Sequence, residues 1–167
     1  AGCGDVNNAL SIGGTTGAIV ATTEKWSGTT WATTSNLNQA RHVLAGCGNV
    51  NNALSFGGFT GTVVATTEKW SGTTWATTAA LNVARSSLAG CGTTAAALSF
   101  GGSTGAVVAT AEKWSGSAWA TTAALNVARS SLVGCGTTTA ALSFGGYTGS
   151  DAVVATTEKW SGSAWAT

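Results

Sequence analysis

The sequence has no methionine and no proline, and charge is scarce. Seven basic and six acidic side chains make 8% of 167 residues, where about 25% is usual. Net charge is +1, and no basic cluster marks a nucleic-acid footprint. No run approaches the roughly 20 apolar residues of a membrane-spanning helix, and no secretory leader is visible at the start. A hydrophobic content of 44% is too high for a disordered chain. Translation starts at methionine, so Ala1 is expected to begin a processed product, a fragment or part of something longer.

The sequence does hold a repeat. Cys3, Cys47, Cys91 and Cys135 are spaced 44 residues apart. The doublets Gly13-Gly14, Gly57-Gly58, Gly101-Gly102 and Gly145-Gly146 keep step, as do the Glu-Lys-Trp triplets at Glu24, Glu68, Glu112 and Glu158. The fourth copy carries the insertion Ser150-Asp151. The units are 1–44, 45–88, 89–132 and a shortened 133–167, which lacks the eleven residues equivalent to Thr34–Leu44. A chain longer than 167 residues is therefore expected at both ends.

Each unit reads as four short strands. In the third, Ala-Gly-Cys-Gly is a strand of small residues and Thr93-Thr94 a turn. Leu98 and Phe100 then alternate with Ala97 and Ser99, the period of a strand. Gly101-Gly102 stops that strand, and Val107–Trp114 is β-branched and ends in an aromatic. Ser115-Gly116 is a hairpin signal, and Ser117–Thr122 is the fourth strand. Glycine, threonine and β-branched residues argue against helix. Four antiparallel strands per 44 residues, repeated, is the pattern of β-propeller blades. An all-β propeller of four four-stranded blades is expected, either a complete small propeller or part of a larger one. The eight tryptophans, Trp26, Trp31, Trp70, Trp75, Trp114, Trp119, Trp160 and Trp165, are assigned to the core between blades.

These residues resemble the kelch repeat: Leu-Ser-Phe-Gly-Gly closing the second strand, Glu68 and Trp70 on the third, Trp75 on the fourth and Arg85 in the closing loop. The resemblance covers essentially the whole chain. It departs at Trp26, Trp70, Trp114 and Trp160, where kelch repeats usually carry tyrosine, and in a shorter hairpin. Shortened kelch-like repeats of this look are familiar from phage and environmental sequences, which implies a virion or extracellular setting. Gly28-Thr29-Thr30-Trp31 also matches the end of a sialidase-type Asp box, but Trp26 and Glu24 stand where its Asp and Ser belong.

Catalytic chemistry finds little support. A galactose-oxidase-like copper site needs two tyrosines and two histidines, and the chain has only Tyr147 and His42. Asp5 and Asp151 lie in different units without an acid–base pairing. No enzyme activity and no cofactor are expected. The cysteines lack the pair spacing of a zinc site. Equivalent blade positions usually exceed disulfide range, so packing as small apolar residues is the preferred reading. The glutamates and the arginines Arg41, Arg85 and Arg129 are read as ties from blade to loop. The alternative is that the arginines ring a ligand.

The copies differ visibly at Thr15, Phe59, Ser103 and Tyr147. By resemblance these share a loop face with the arginine loops. Phe59, Tyr147, Arg41, Arg85 and Arg129 are therefore the candidate ligand face, with drift in a tolerant loop as the plainer explanation. Two functions are expected in order. The first is a non-enzymatic structural or assembly component of an extracellular fibre or virion, acting by self-association or contact with another structural protein. The second is an adhesin or receptor-binding module contacting glycan or protein. A carbohydrate-active enzyme is a distant third.

Overall fold

The computed structural model describes residues 1–149 and 152–167; the Ser150-Asp151 insertion lies outside them. Among the described residues, sixteen strands form four antiparallel sheets, each meandering in chain order. Blade 1 is β1 (Gly2–Gly4), β2 (Ala9–Thr15), β3 (Ile19–Trp26) and β4 (Trp31–Thr34). Blade 2 is β5 (Ala45–Gly48), β6 (Ala53–Phe56), β7 (Thr67–Trp70) and β8 (Trp75–Thr78). Blade 3 is β9 (Ala89–Gly92), β10 (Ala97–Phe100), β11 (Ala111–Trp114) and β12 (Trp119–Thr122). Blade 4 is β13 (Val133–Gly136), β14 (Ala141–Phe144), β15 (Thr157–Trp160) and β16 (Trp165–Ala166). The sheets stand in a ring as a four-bladed β-propeller, and the innermost strands β1, β5, β9 and β13 lie side by side in succession.

The third strand differs from the sequence reading. A continuous strand from Val107 to Trp114 is expected, but β11 begins at Ala111, and Val107 makes only an isolated bridge with Ser103. Blade 1 alone keeps the long form, with β3 running eight residues against β2 and a bulge between Ile12 and Gly14. In blades 2, 3 and 4 an arginine from the preceding unit enters between the two strands and takes their carbonyls. The two strands stay joined there: in blade 3 the Gly101 amide donates to the Thr110 carbonyl and the Val108 amide to the Gly102 carbonyl.

Three apolar clusters fill the seams between successive blades. Leu10, Ile12, Leu37 and Leu44 pack against Trp70 and Trp75. Leu54, Phe56, Leu81 and Leu88 pack against Trp114 and Trp119. Leu98, Phe100, Leu125 and Leu132 pack against Trp160 and Trp165. The middle strand of an inner blade is consequently buried on both faces, as Ala97–Phe100 shows. Phe56 lies edge-on to Trp119 with ring centroids 4.9 Å apart, and Phe100 meets Trp165 at 4.8 Å. Such pairs add about 0.5–1.5 kcal/mol beyond area burial.

Gly90 shows how close this packing is. An added Cβ would collide with the Phe56 ring, and at Gly134 with the Phe100 ring. Small residues on the innermost strand therefore leave room for the aromatic of the blade before.

No such cluster joins blade 4 to blade 1 among the described residues. Phe144 is 37% exposed, Leu142 40% and Val133 56%. On blade 1, Trp31 is 49% exposed and Trp26 only half-buried. The assignment of all eight tryptophans to the core is corrected here: six are buried, and Trp26 and Trp31 are not, because no apolar cluster of a preceding blade covers them.

Candidate functional site

The arginine of each closing loop is anchored by its backbone to its own blade and by its side chain to the next. The Arg85 carbonyl accepts from the Gly58 amide at 2.8 Å. Its guanidinium crosses to blade 3. There Nη1 donates to the carbonyls of Gly101 at 2.7 Å and Thr110 at 2.9 Å. Nη2 donates to Ser99 Oγ and to Glu112 Oε1, both at 2.9 Å. Arg41 repeats this on Gly57, Thr66, Ser55 and Glu68, and Arg129 on Gly145, Thr156, Ser143 and Glu158. All six charged side chains are fully buried.

A buried carboxylate is tolerable only when its lone pairs are filled. Asparagine of the Leu-Asn-x-Ala-Arg loop completes the set. Asn82 donates its backbone N–H and its Nδ2 to Glu112 Oε2 at 2.6 and 2.8 Å, and a further Nδ2 bond to the Trp119 carbonyl. Val83 adds an amide to Oε1 at 3.3 Å. Burial pulls the Arg85 and Arg41 pKa values below the ordinary arginine value, and the paired glutamate opposes that shift. Arginine is not deprotonated in proteins, so the pair stays ionic. Blades 1, 2 and 3 are thus each stapled to the next by a charged pair inside the protein.

The arginines are placed by this arrangement away from any ligand. They are wholly buried, so they do not share an open face with Phe59 and Tyr147, and that part of the sequence-derived ligand face is corrected. Phe59 and Tyr147 are half-buried. Phe59 bridges to His42 and Val63, with its ring edge-on to His42 at 5.5 Å, and Tyr147 bridges to Ser130 and Val153. A hollow of about 530 Å³ lies beside Tyr147, lined by Ser103, Val107, Ser130, Thr148 and neighbouring residues of blades 3 and 4.

The tryptophans divide into two roles. Trp26, Trp70, Trp114 and Trp160 each donate Nε1 to a carbonyl of their own blade, at Val6, Val50, Thr94 and Thr138. The second tryptophan of a blade reaches back across the seam: Trp75 Nε1 donates to Thr23 Oγ1 and Trp119 Nε1 to Thr67 Oγ1, both at 3.0 Å. Trp165 has no such partner, because Ala111 stands where the other units have threonine.

The four thiols are unpaired. Cys47 and Cys91 are buried, Cys3 is intermediate and Cys135 exposed. Burial raises the Cys91 thiol to about 12 and the Cys3 thiol to about 11, and the neighbouring Cys135 thiol adds to the rise at Cys91. Protonated thiols are poor nucleophiles and poor metal ligands. Among the described residues, no group of three His, Cys, Asp or Glu side chains is placed to hold a metal ion.

No family model and no curated protein matches this sequence. Its architecture is compatible with a kelch-like propeller. No helix among the described residues is long and apolar enough to cross a membrane.

The sequence pointed to the glutamates and arginines as ties but missed their partners. Asn38, Asn82 and Asn126, and Ser55, Ser99 and Ser143, were legible only as identities repeated in phase. That repetition is the signal that could have found them, since a tolerant surface loop would have drifted at the asparagine.

Proposed function

We propose that this is a kelch-like propeller with a structural, non-enzymatic role, an assembly component of an extracellular fibre or a virion surface. One observation carries the reading. The outer faces of blades 4 and 1 expose Phe144 and Trp31, equivalents of the residues that interlock at the inner seams. An exposed apolar face of this kind marks an interaction surface. The low charge of the chain adds little repulsion between copies. The fibre or virion setting rests on the resemblance to shortened kelch-like repeats.

Sedimentation over a range of protein concentrations tests the association. The intact chain is expected to form dimers or larger species at about 10–100 µM, in the range of weak transient contacts. The pair Trp31→Ser and Phe144→Ser is expected to abolish them. A strictly monomeric wild-type chain at those concentrations rejects the reading.

A second reading is favoured by the hollow beside Tyr147: an adhesin or receptor-binding module that holds glycan or protein on the loop face. Aromatic rings suit both partners. A glycan array with Phe59→Ala and Tyr147→Ala variants tests it, and binding that survives loss of both aromatics removes this site.

A further inference from the structure

Three of the four glutamates are held in the same way, and the fourth is not. Glu68, Glu112 and Glu158 are fully buried against an arginine from the preceding unit. Glu24 occupies the same strand position in blade 1 and is half-buried. The chain holds three Leu-Asn-x-Ala-Arg segments, at Leu37–Arg41, Leu81–Arg85 and Leu125–Arg129. Their guanidiniums serve blades 2, 3 and 4. None reaches blade 1.

The acceptors that receive those arginines are nevertheless present there. Arg41 is bound by Ser55 Oγ, the Gly57 and Thr66 carbonyls and Glu68. One repeat earlier in the chain, the equivalents are Ser11, Gly13, Thr22 and Glu24. All four line a single hollow of about 340 Å³ on blade 1. Gly14, Thr15, Thr16 and Val20 complete its wall.

We propose that this hollow is a binding site for an arginine side chain, presented by the Leu-Asn-x-Ala-Arg closing loop of a further repeat unit of the same type. The three filled sites of the molecule define the pose. Two N–H groups of one guanidinium nitrogen go to the Gly13 and Thr22 carbonyls, and the other nitrogen bridges Ser11 and Glu24. The asparagine of the incoming loop takes the remaining Glu24 oxygen, and its leucine lies over the blade. A lysine cannot reproduce this, since the contacts need two separated nitrogens in a planar fork.

The occupant is not a second copy of this chain. Its own three arginines are already buried in its own seams, and extracting one would leave a buried carboxylate without its cation. The site therefore calls for a repeat whose closing loop is free. It does not rest on the self-association proposed above, which reads Trp31 and Phe144 and leaves Glu24 untouched.

The test uses the full chain and the synthetic peptide Leu-Asn-Val-Ala-Arg-Ser-Ser-Leu, the sequence of residues 81–88. Calorimetric titration is expected to give saturable one-to-one binding. Replacing the peptide arginine by lysine or alanine, or Glu24 by Gln, is expected to weaken it by roughly tenfold or more, as for a charge-assisted hydrogen bond. Glu24 is half-exposed, so Glu24→Gln is expected to fold, and an unchanged melting temperature checks this. No binding at millimolar peptide overturns the proposal, as does equal binding by the arginine and lysine peptides or by wild type and Glu24→Gln. A second arm appends residues 122–132 after Thr167. A rise in melting temperature that needs both the appended arginine and Glu24 supports the site; a rise independent of either one overturns it.

Discussion

At the inner seams Phe56 meets Trp119 and Phe100 meets Trp165, with ring centroids less than 5 Å apart. At the outer faces Phe144 and Trp31 hold the same repeat positions, and both are exposed to solvent. The glutamates divide in the same way: Glu112 is sealed by Arg85 and Asn82, while Glu24 faces an open hollow. One repeat sequence thus yields two environments, and the difference lies in the neighbouring blade. A blade buries only one of its faces with each neighbour.

Large aromatic truncation should separate the two environments most strongly. Trp114→Ala is expected to cost about 3–5 kcal/mol, while Trp31→Ala, already half in water, should cost under about 1 kcal/mol. Paired denaturant melts read the difference, and equal losses would mean that the outer face is covered in solution. Removing a carboxylate comes next. Glu112→Ala strands the buried Arg85 charge and should cost about 3–5 kcal/mol. Glu24→Ala strands nothing and should fall within about 0.5 kcal/mol of wild type. A comparable loss at Glu24 would break the comparison.

Glycine substitution is a smaller and sharper probe. Gly90→Ala sets a methyl against the Phe56 ring and should cost about 1–3 kcal/mol by overpacking. Gly2→Ala, on the same strand position of blade 1, meets only the Leu10 carbonyl at 3.1 Å and should be milder. A double change, Gly90→Ala with Phe56→Leu, should recover part of the loss if the ring is the cause. The smallest expected effect runs the other way. Ala111→Thr restores the hydroxyl that Trp75 and Trp119 use, giving the buried Trp165 Nε1 an acceptor. A gain of about 1 kcal/mol is expected. A loss would show that the seam between blades 3 and 4 is packed more tightly than its two counterparts.

Much of this was legible before any coordinates. The 44-residue period, the Leu-Ser-Phe-Gly-Gly alternation and the Ser-Gly hairpins specify four strands and a propeller, because period-2 alternation and turn chemistry act locally. The ends of the third strand were not legible. Val107–Ala109 has strand composition, yet it makes only scattered backbone bonds, beside an arginine from another unit that sequence reading cannot see. The same holds for Trp31, identical in type to Trp75 and Trp119 and different only in what lies against it.

The shortage of charge has a physical counterpart in the seams. With one glutamate and at most one arginine per unit, the sequence by itself determined that few ion pairs exist and that they recur at fixed intervals. Only the tertiary structure decided that these pairs form between units and never within one. Each arginine's backbone is bound to its own blade, and the guanidinium reaches acceptors only on the next. That offset of one blade leaves Glu24 at one outer face and Phe144 at the other without their partners, because a contact made across a seam exists only where both of its sides are present.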